Sequence, residues 1–145
     1  FYWASSLESV KLPKNLPEIR WDTFEYCTSL RSIDIPDTVT RIWGHAFYGD
    51  RSLSQVNFGP GSQLLEIWSS AFRQCSSLIN ISIPSRTSVN ERAFKETYAT
   101  ITYYENGCKA VENDYSYNND YTFDYNSFNY DNNTYEDARD YDYVG

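Results

Sequence analysis

Apolar and polar positions recur along this chain with a period of 22 to 25 residues. Set out from each Phe of a Phe-x₅-Leu frame, the chain falls into four lines, 1–23, 24–46, 47–71 and 72–93, with a partial fifth from 94 to 111. Leu7, Leu30, Leu53 and Leu78 share a column, followed by Val10, Ile33, Val56 and Ile81, then by Leu12, Ile35, Phe58 and Ile83. Pro13, Pro36 and Pro84 come next, with Pro60 one residue late in its line. Leu16, Val39 and Leu64 form another column, and Ile19, Ile42, Ile67 and Val89 a further one. Small residues close the lines at Thr23, Ala46, Ala71 and Ala93. Agreement of both length and columns identifies internal repeats of the size found in stacked solenoids.

Each line has a readable local preference. Leu-x-x-Ile-x-Ile ends in period-two alternation, which predicts a short strand with one face inward. The proline that follows cannot donate to a strand ladder and ends the strand. From Val39 through Ile42 to Ala46 and Phe47 the apolar spacing is three and four, which predicts one or two helical or 3₁₀ turns as the return. A single line cannot bury enough apolar surface to offset the ordering of its backbone. The lines must therefore stack, and the fold expected is an α/β solenoid, with parallel strands on one face and irregular or 3₁₀ returns on the other.

The segments EYCTSLRSIDIPDTVTRI (25–42), AFYGDRSLSQVNF (46–58) and AFRQCSSLINISIP (71–84) closely resemble the leucine-rich-repeat class of bacterial surface antigens, the BspA-like repeats. The resemblance covers residues 1–103 or so. It implies a stacked solenoid and a non-enzymatic role in protein–protein interaction or surface adhesion, and it favours a cell-surface or secreted location. Members of the class bind diverse partners. Trp43 and Trp68 depart from it, standing where the class usually has Gly, and the fifth line loses the Leu-x-x-Ile-x-Ile register.

Past the fourth line, ATITYYENGCKAV (99–111) alternates around Asn106-Gly107, a favoured type I′ turn. It predicts a capping hairpin with strands at 100–104 and 108–111. The domain so defined is 1–111. Composition then changes abruptly. Residues 112–145 hold eight Tyr, seven Asn and seven Asp, with no Leu or Ile, which predicts a disordered tail. Nine acids and one base fall there, so the whole net charge of -8 belongs to the tail and residues 1–111 are neutral. That balance argues against nucleic acid as a partner. No apolar run is long enough to span a membrane. The chain opens at Phe1 without a leader and is read as a segment of something longer, with an open N-terminal edge that invites self-association.

Candidate chemistry is sparse. Cys27 and Cys75 share a column two lines apart, so their Cα atoms should lie ~9–10 Å from each other, too far for a disulfide. They are expected as buried free thiols. Cys108 falls in the cap, and no Cys or His spacing supports a metal site. His45, the sole histidine, is expected in a solvated loop rather than as the base of a Cys–His pair. No catalytic constellation and no cofactor motif is found. The outward strand positions form two polar rows, Ser9, Lys11, Ser32, Asp34, Gln55, Asn57, Asn80 and Ser82, read as the concave binding face for a protein or glycan. Trp43 and Trp68 should stack as an aromatic column with Trp21 nearby. Asn80-Ile-Ser and Asn132-Asn-Thr are glycosylation triplets, and Tyr141 and Tyr143 sit in an acidic context suited to sulfation or phosphorylation. Two functions stay open at this point: recognition through the strand face, or a structural spacer whose tail carries the interaction.

Overall fold

The computed structural model describes residues 1–105 and the backbone of 111–115. Nine strands occur among them: β1 (Glu18–Ile19), β2 (Ser32–Ile35), β3 (Arg41–Ile42), β4 (Gln55–Phe58), β5 (Glu66–Ile67), β6 (Asn80–Pro84), β7 (Ser88–Val89), β8 (Thr100–Tyr104) and β9 (Val111–Tyr115). The lines stack as expected, with β2 and β4 parallel and in register, Ile33 opposite Val56 and Ile35 opposite Phe58. β6 and β8 pair the same way, Ile81 opposite Ile101. β4 and β6 lie side by side without joining in one ladder.

The returns differ from the helical expectation, and the fold is a parallel β-solenoid rather than an α/β one. No helix forms among the described residues. In its place β1, β3, β5 and β7 build a second, four-stranded parallel sheet, with Ile19, Ile42, Ile67 and Val89 in one row. Single i→i−3 hydrogen bonds remain at the corners, such as Val39 N–H to Pro36 O (3.0 Å) and Tyr48 N–H to His45 O (3.1 Å). They are not continued into a 3₁₀ run. The spacing of three and four arises because each line turns two corners, and each corner brings the next apolar side chain inward.

Between the long strands and the four-stranded sheet lies one continuous core. Ile33, Ile35, Leu30, Leu53, Leu64, Leu78 and Ile83 are buried in it, and the small Ala46, Ala71 and Ala93 close it at the corners. The Phe that opens each line contributes a spine. Rings of Phe1, Phe24, Phe47, Phe72 and Phe94 stack in order at 5.4, 5.3, 5.0 and 5.1 Å, within 9° of parallel. That spacing is close to the ~4.8 Å strand-to-strand distance of a ladder, so one ring per line fits the stack. Three spine residues also anchor their backbone, since Phe24, Phe47 and Phe72 donate N–H at 2.8 Å to the carbonyls of Ala46, Ala71 and Ala93, the residues that close their own lines.

Backbone chirality at the corners is regular too. The second residue after each line-opening Phe is left-handed: Trp3, Tyr26, Gly49, Gln74 and Glu96, with φ from 55° to 75°. Only Gly49 meets that demand without a side chain, and a Cβ there would strike the Tyr26 ring.

The first line is looser than its sequence predicts, because Val10 to Leu12 carry no strand and Ser9 and Lys11 therefore lie outside the long-strand sheet. At the other end β8 and β9 are antiparallel, Tyr103 opposite Val111 and Ile101 opposite Tyr115. The second cap strand thus runs later in the chain than 108–111, over positions that composition assigned to the tail. The Asn106-Gly107 turn, Cys108, Asn132, Tyr141, Tyr143 and the rest of the tail from 116 onward lie outside the described residues.

Candidate functional site

The outward face of the long strands is built by alternation. Inward Ile33, Ile35, Val56, Ile81 and Ile83 are buried, which leaves Ser32 and Asp34 on β2, Gln55 and Asn57 on β4, and Asn80 and Ser82 on β6 facing out. Registry aligns Ser32 with Gln55 and Asp34 with Asn57. Asn57 Nδ2 donates to Asp34 Oδ1 at 2.8 Å, so part of the row is already linked across lines. Two positions not assigned from the sequence extend both rows, for Thr100 stands opposite Asn80 and Thr102 opposite Ser82. Their signal was present in the alternation of ATITYYE, which was read as a cap alone. Asn80, the residue of the first glycosylation triplet, is exposed on this face.

The second sheet carries a different surface. Glu18, Arg41 and Glu66 occupy one row, and the Arg41 guanidinium bridges both acids, Nη1 to Glu18 Oε1 at 3.0 Å and Nε to Glu66 Oε2 at 2.7 Å. The Trp column lies beside it. Rings of Trp43 and Trp68 are 4.7 Å apart at 32°, and Trp21 leans over both at 6.1 and 6.3 Å, resting where Gly44 leaves room. Two of the three indoles are tied to the charge row: Trp43 Nε1–H donates to Glu18 Oε2 at 3.1 Å, and Trp68 Nε1–H to Glu66 Oε2 at 3.4 Å. The Trp43 and Arg41 hydrogen bonds hold the Glu18 carboxyl below its usual range. Trp21 and Trp68 remain about 40% exposed (40% and 38%), enough for a partner to touch their edges. The Glu–Arg–Glu row escaped sequence reasoning, although all three residues directly precede the Ile column of their lines.

The thiols and the histidine do not assemble a nucleophile. Cys27 and Cys75 are buried and unpaired, as their column spacing required. Their Sγ–H groups donate to the carbonyls of Phe1 (3.2 Å) and Phe47 (3.1 Å). Burial pushes the Cys27 thiol up to about 11 and the Cys75 thiol well above its ordinary value, the opposite of thiolate activation. His45 is not the solvated loop residue expected. It is half-buried at φ 54°, edge-on to Tyr48 at 5.4 Å and to Trp21 at 6.2 Å, with Nδ1 3.7 Å from Asp22 Oδ1. Among the described residues no cluster of His, Cys, Asp and Glu is suited to a metal. No helix there is long and apolar enough to cross a membrane.

At the N-terminal end, β1 pairs only with β3 among the described residues, and Phe1, Tyr2 and Trp3 are exposed. A cleft of about 500 Å³ opens on the end of the stack, lined by Phe1, Leu12, Leu16, Ile19, Thr23 and Phe24 among others.

A family model for the BspA-type leucine-rich-repeat region matches residues 1–133 in six copies. The chain belongs to that family. Its repeats generally mediate protein–protein interaction or adhesion and are typically non-enzymatic. The BspA-type match continues past β9 into the tyrosine- and asparagine-rich segment, as far as 133. No curated protein and no solved structure matches the chain.

Proposed function

We propose that this chain is a non-enzymatic recognition module that binds a protein, or a glycan borne by one, through the outward face of its long strands. One observation carries the proposal: the two polar rows run in register within the β2–β4 pair and within the β6–β8 pair, on a surface whose backbone is fixed by stacking, so hydrogen-bonding groups are presented at a strand spacing of ~5 Å. A rigid array of Ser, Thr, Asn and Gln offers donors and acceptors without the ordering cost of a loop. Ser9 and Lys11 join the proposal as a flanking pair, since the first line does not place them in the sheet.

Gln55→Arg with Ser82→Arg tests it, because both side chains are exposed and neither change touches the core. The wild-type chain and this variant would be applied to one array of extracellular proteins and glycans. Loss of the wild-type signals at an unchanged melting temperature supports the strand face, with Trp68→Ala retaining them. Retention by the double Arg variant, with loss on removing residues 116–145, would instead favour the tail as the interacting element. Tyr141, Tyr143 and Asn132 acquire a role only in that second case.

Self-association through the N-terminal end belongs to the same proposal. The exposed aromatic residues and apolar cleft there support it. Sedimentation velocity over a hundredfold concentration range should show dimers that dissociate on dilution, and a monomer at every concentration would refute it.

A further inference from the structure

The column that holds Cys27 and Cys75 contains one acid. Counted from the Phe of each line, the fourth position is Ala4, Cys27, Asp50, Cys75 and Thr97. Asp50 is fully buried between the two cysteines. Its Oδ1 accepts the Cys27 N–H at 2.7 Å, whereas Oδ2 is buried with no hydrogen-bond partner. A buried carboxylate with an orphaned oxygen is costly unless the charge is removed or paired.

Neighbouring lines show what this position does. Thr97 Oγ1 accepts the Cys75 N–H (3.0 Å) and donates to the Phe72 carbonyl of the preceding line (2.6 Å). Cys75 Sγ donates in the same way to Phe47 O, and Cys27 Sγ to Phe1 O. Each of those carbonyls also takes an N–H from the column residue of its own line: Ala4 on Phe1, Asp50 on Phe47, Cys75 on Phe72. Phe24 O receives the Cys27 N–H at 3.0 Å, and the donor that the pattern calls for from the next line is the side chain of Asp50. An ionised carboxylate has no hydrogen to give. A carboxylic acid has one, and it can accept and donate at once, as Thr97 does.

We propose that Asp50 is held as the neutral acid, with Oδ2–H donating to the Phe24 carbonyl, so that this side-chain ladder through the solenoid is complete only while the proton is bound. The charged and titratable groups facing it agree. Glu25, from the preceding line, opposes ionisation, and the Cys27 and Cys75 thiols on either side are themselves held neutral by burial. Burial pushes the Asp50 carboxyl up to about 8, against the single lowering influence of the Cys27 N–H. Proton loss then leaves a charge beside an occupied carbonyl in the centre of the stack, and the solenoid loosens as the medium becomes alkaline.

Thermal unfolding of the full chain between pH 5 and pH 9 tests the proposal, with wild type, Asp50→Asn, Asp50→Thr and Glu25→Gln compared. Asn and Thr each supply both an acceptor and a donor. The wild-type midpoint should fall by at least about 5 °C across that range, and both Asp50 variants should be flatter and match or exceed wild type at pH 9. Glu25→Gln should keep most of the fall. Equal pH dependence in wild type and Asp50→Asn would overturn the proposal. If the variants fail to fold, ¹³C-carboxyl NMR of the wild-type chain labelled at Asp decides: one carbon titrating near 8 supports it, and titration of every Asp carboxyl in the ordinary range refutes it.

Discussion

At the scale of single residues, the repeat imposes a role on each position and then tests every side chain against it. Gly49 shows the demand most clearly. Its column is left-handed in all five lines, and at Gly49 the Tyr26 ring occupies the space of a side chain. Gly49→Ala is therefore expected to destabilise the chain by roughly 1–3 kcal/mol, read from urea unfolding, since backbone strain and the ring clash act together. Arg41 makes the opposite case. It bridges two acids, yet all three side chains are part-exposed and solvent screens the pairs. Arg41→Ala should move the melting temperature little, and by less still in high salt. Column alignment made the buried thiols legible, and it would have shown Asp50 as the acid in their column had the column been read for chemistry as well as size. His45 was misread for want of its neighbours, because nothing local to Gly44-His45-Ala46 announces that Trp21 and Tyr48 close around the ring.

At the scale of elements, the spine of stacked Phe rings explains why the lines cannot fold separately. Each buried ring has its two faces covered by the rings before and after it, so a ring contributes to two interfaces at once. Phe47→Ala should cost about 3–5 kcal/mol in unfolding free energy, with a cavity that neighbouring rings cannot fill. Phe47→Leu should cost clearly less. The long strands were legible because Leu-x-x-Ile-x-Ile alternates and a proline closes it. The second sheet was not. Its strands have two residues each, too short for alternation to show, and the corners around them reproduce a helical spacing of apolar positions. Only pairing between lines distinguishes the two readings, and pairing partners lie 22 to 25 residues apart. The outward rows on the long strands were legible through β6, and Thr100 and Thr102 were hidden by the loss of the Leu-x-x-Ile-x-Ile signature in the fifth line.

At the scale of the whole molecule, charge couples the stack to pH. Asp50 and Glu25 have folded-state values raised to about 8 and about 7, so folding takes up protons once the unfolded chain has ionised. Their contribution is fully present below the ordinary carboxylate range and is lost as pH rises, levelling off above about 8. The slope from Asp50 alone is about 1.4 kcal/mol per pH unit between those limits. Glu18 and Glu96 act in the other sense. Hydrogen bonds, from Trp43 and Arg41 to the first and from Gln74 and Arg73 to the second, hold both below 4.5, and that contribution is lost as pH falls. Stability should therefore peak near pH ~4, within the ordinary carboxylate range, and decline through neutrality, which chemical denaturation at a series of pH values would show.

The short strand of each return hydrogen-bonds to the line before it and does not coil into a helix of its own. NMR scalar couplings across hydrogen bonds observe the donor and acceptor of each bond directly. Correlations are expected from Trp43 N to the Ile19 carbonyl carbon, from Trp68 N to Ile42 and from Asn90 N to Ile67, each between successive lines. Correlations from Trp43 N to Val39 or Thr40, within its own line, would mean a helical return and would contradict the all-strand solenoid.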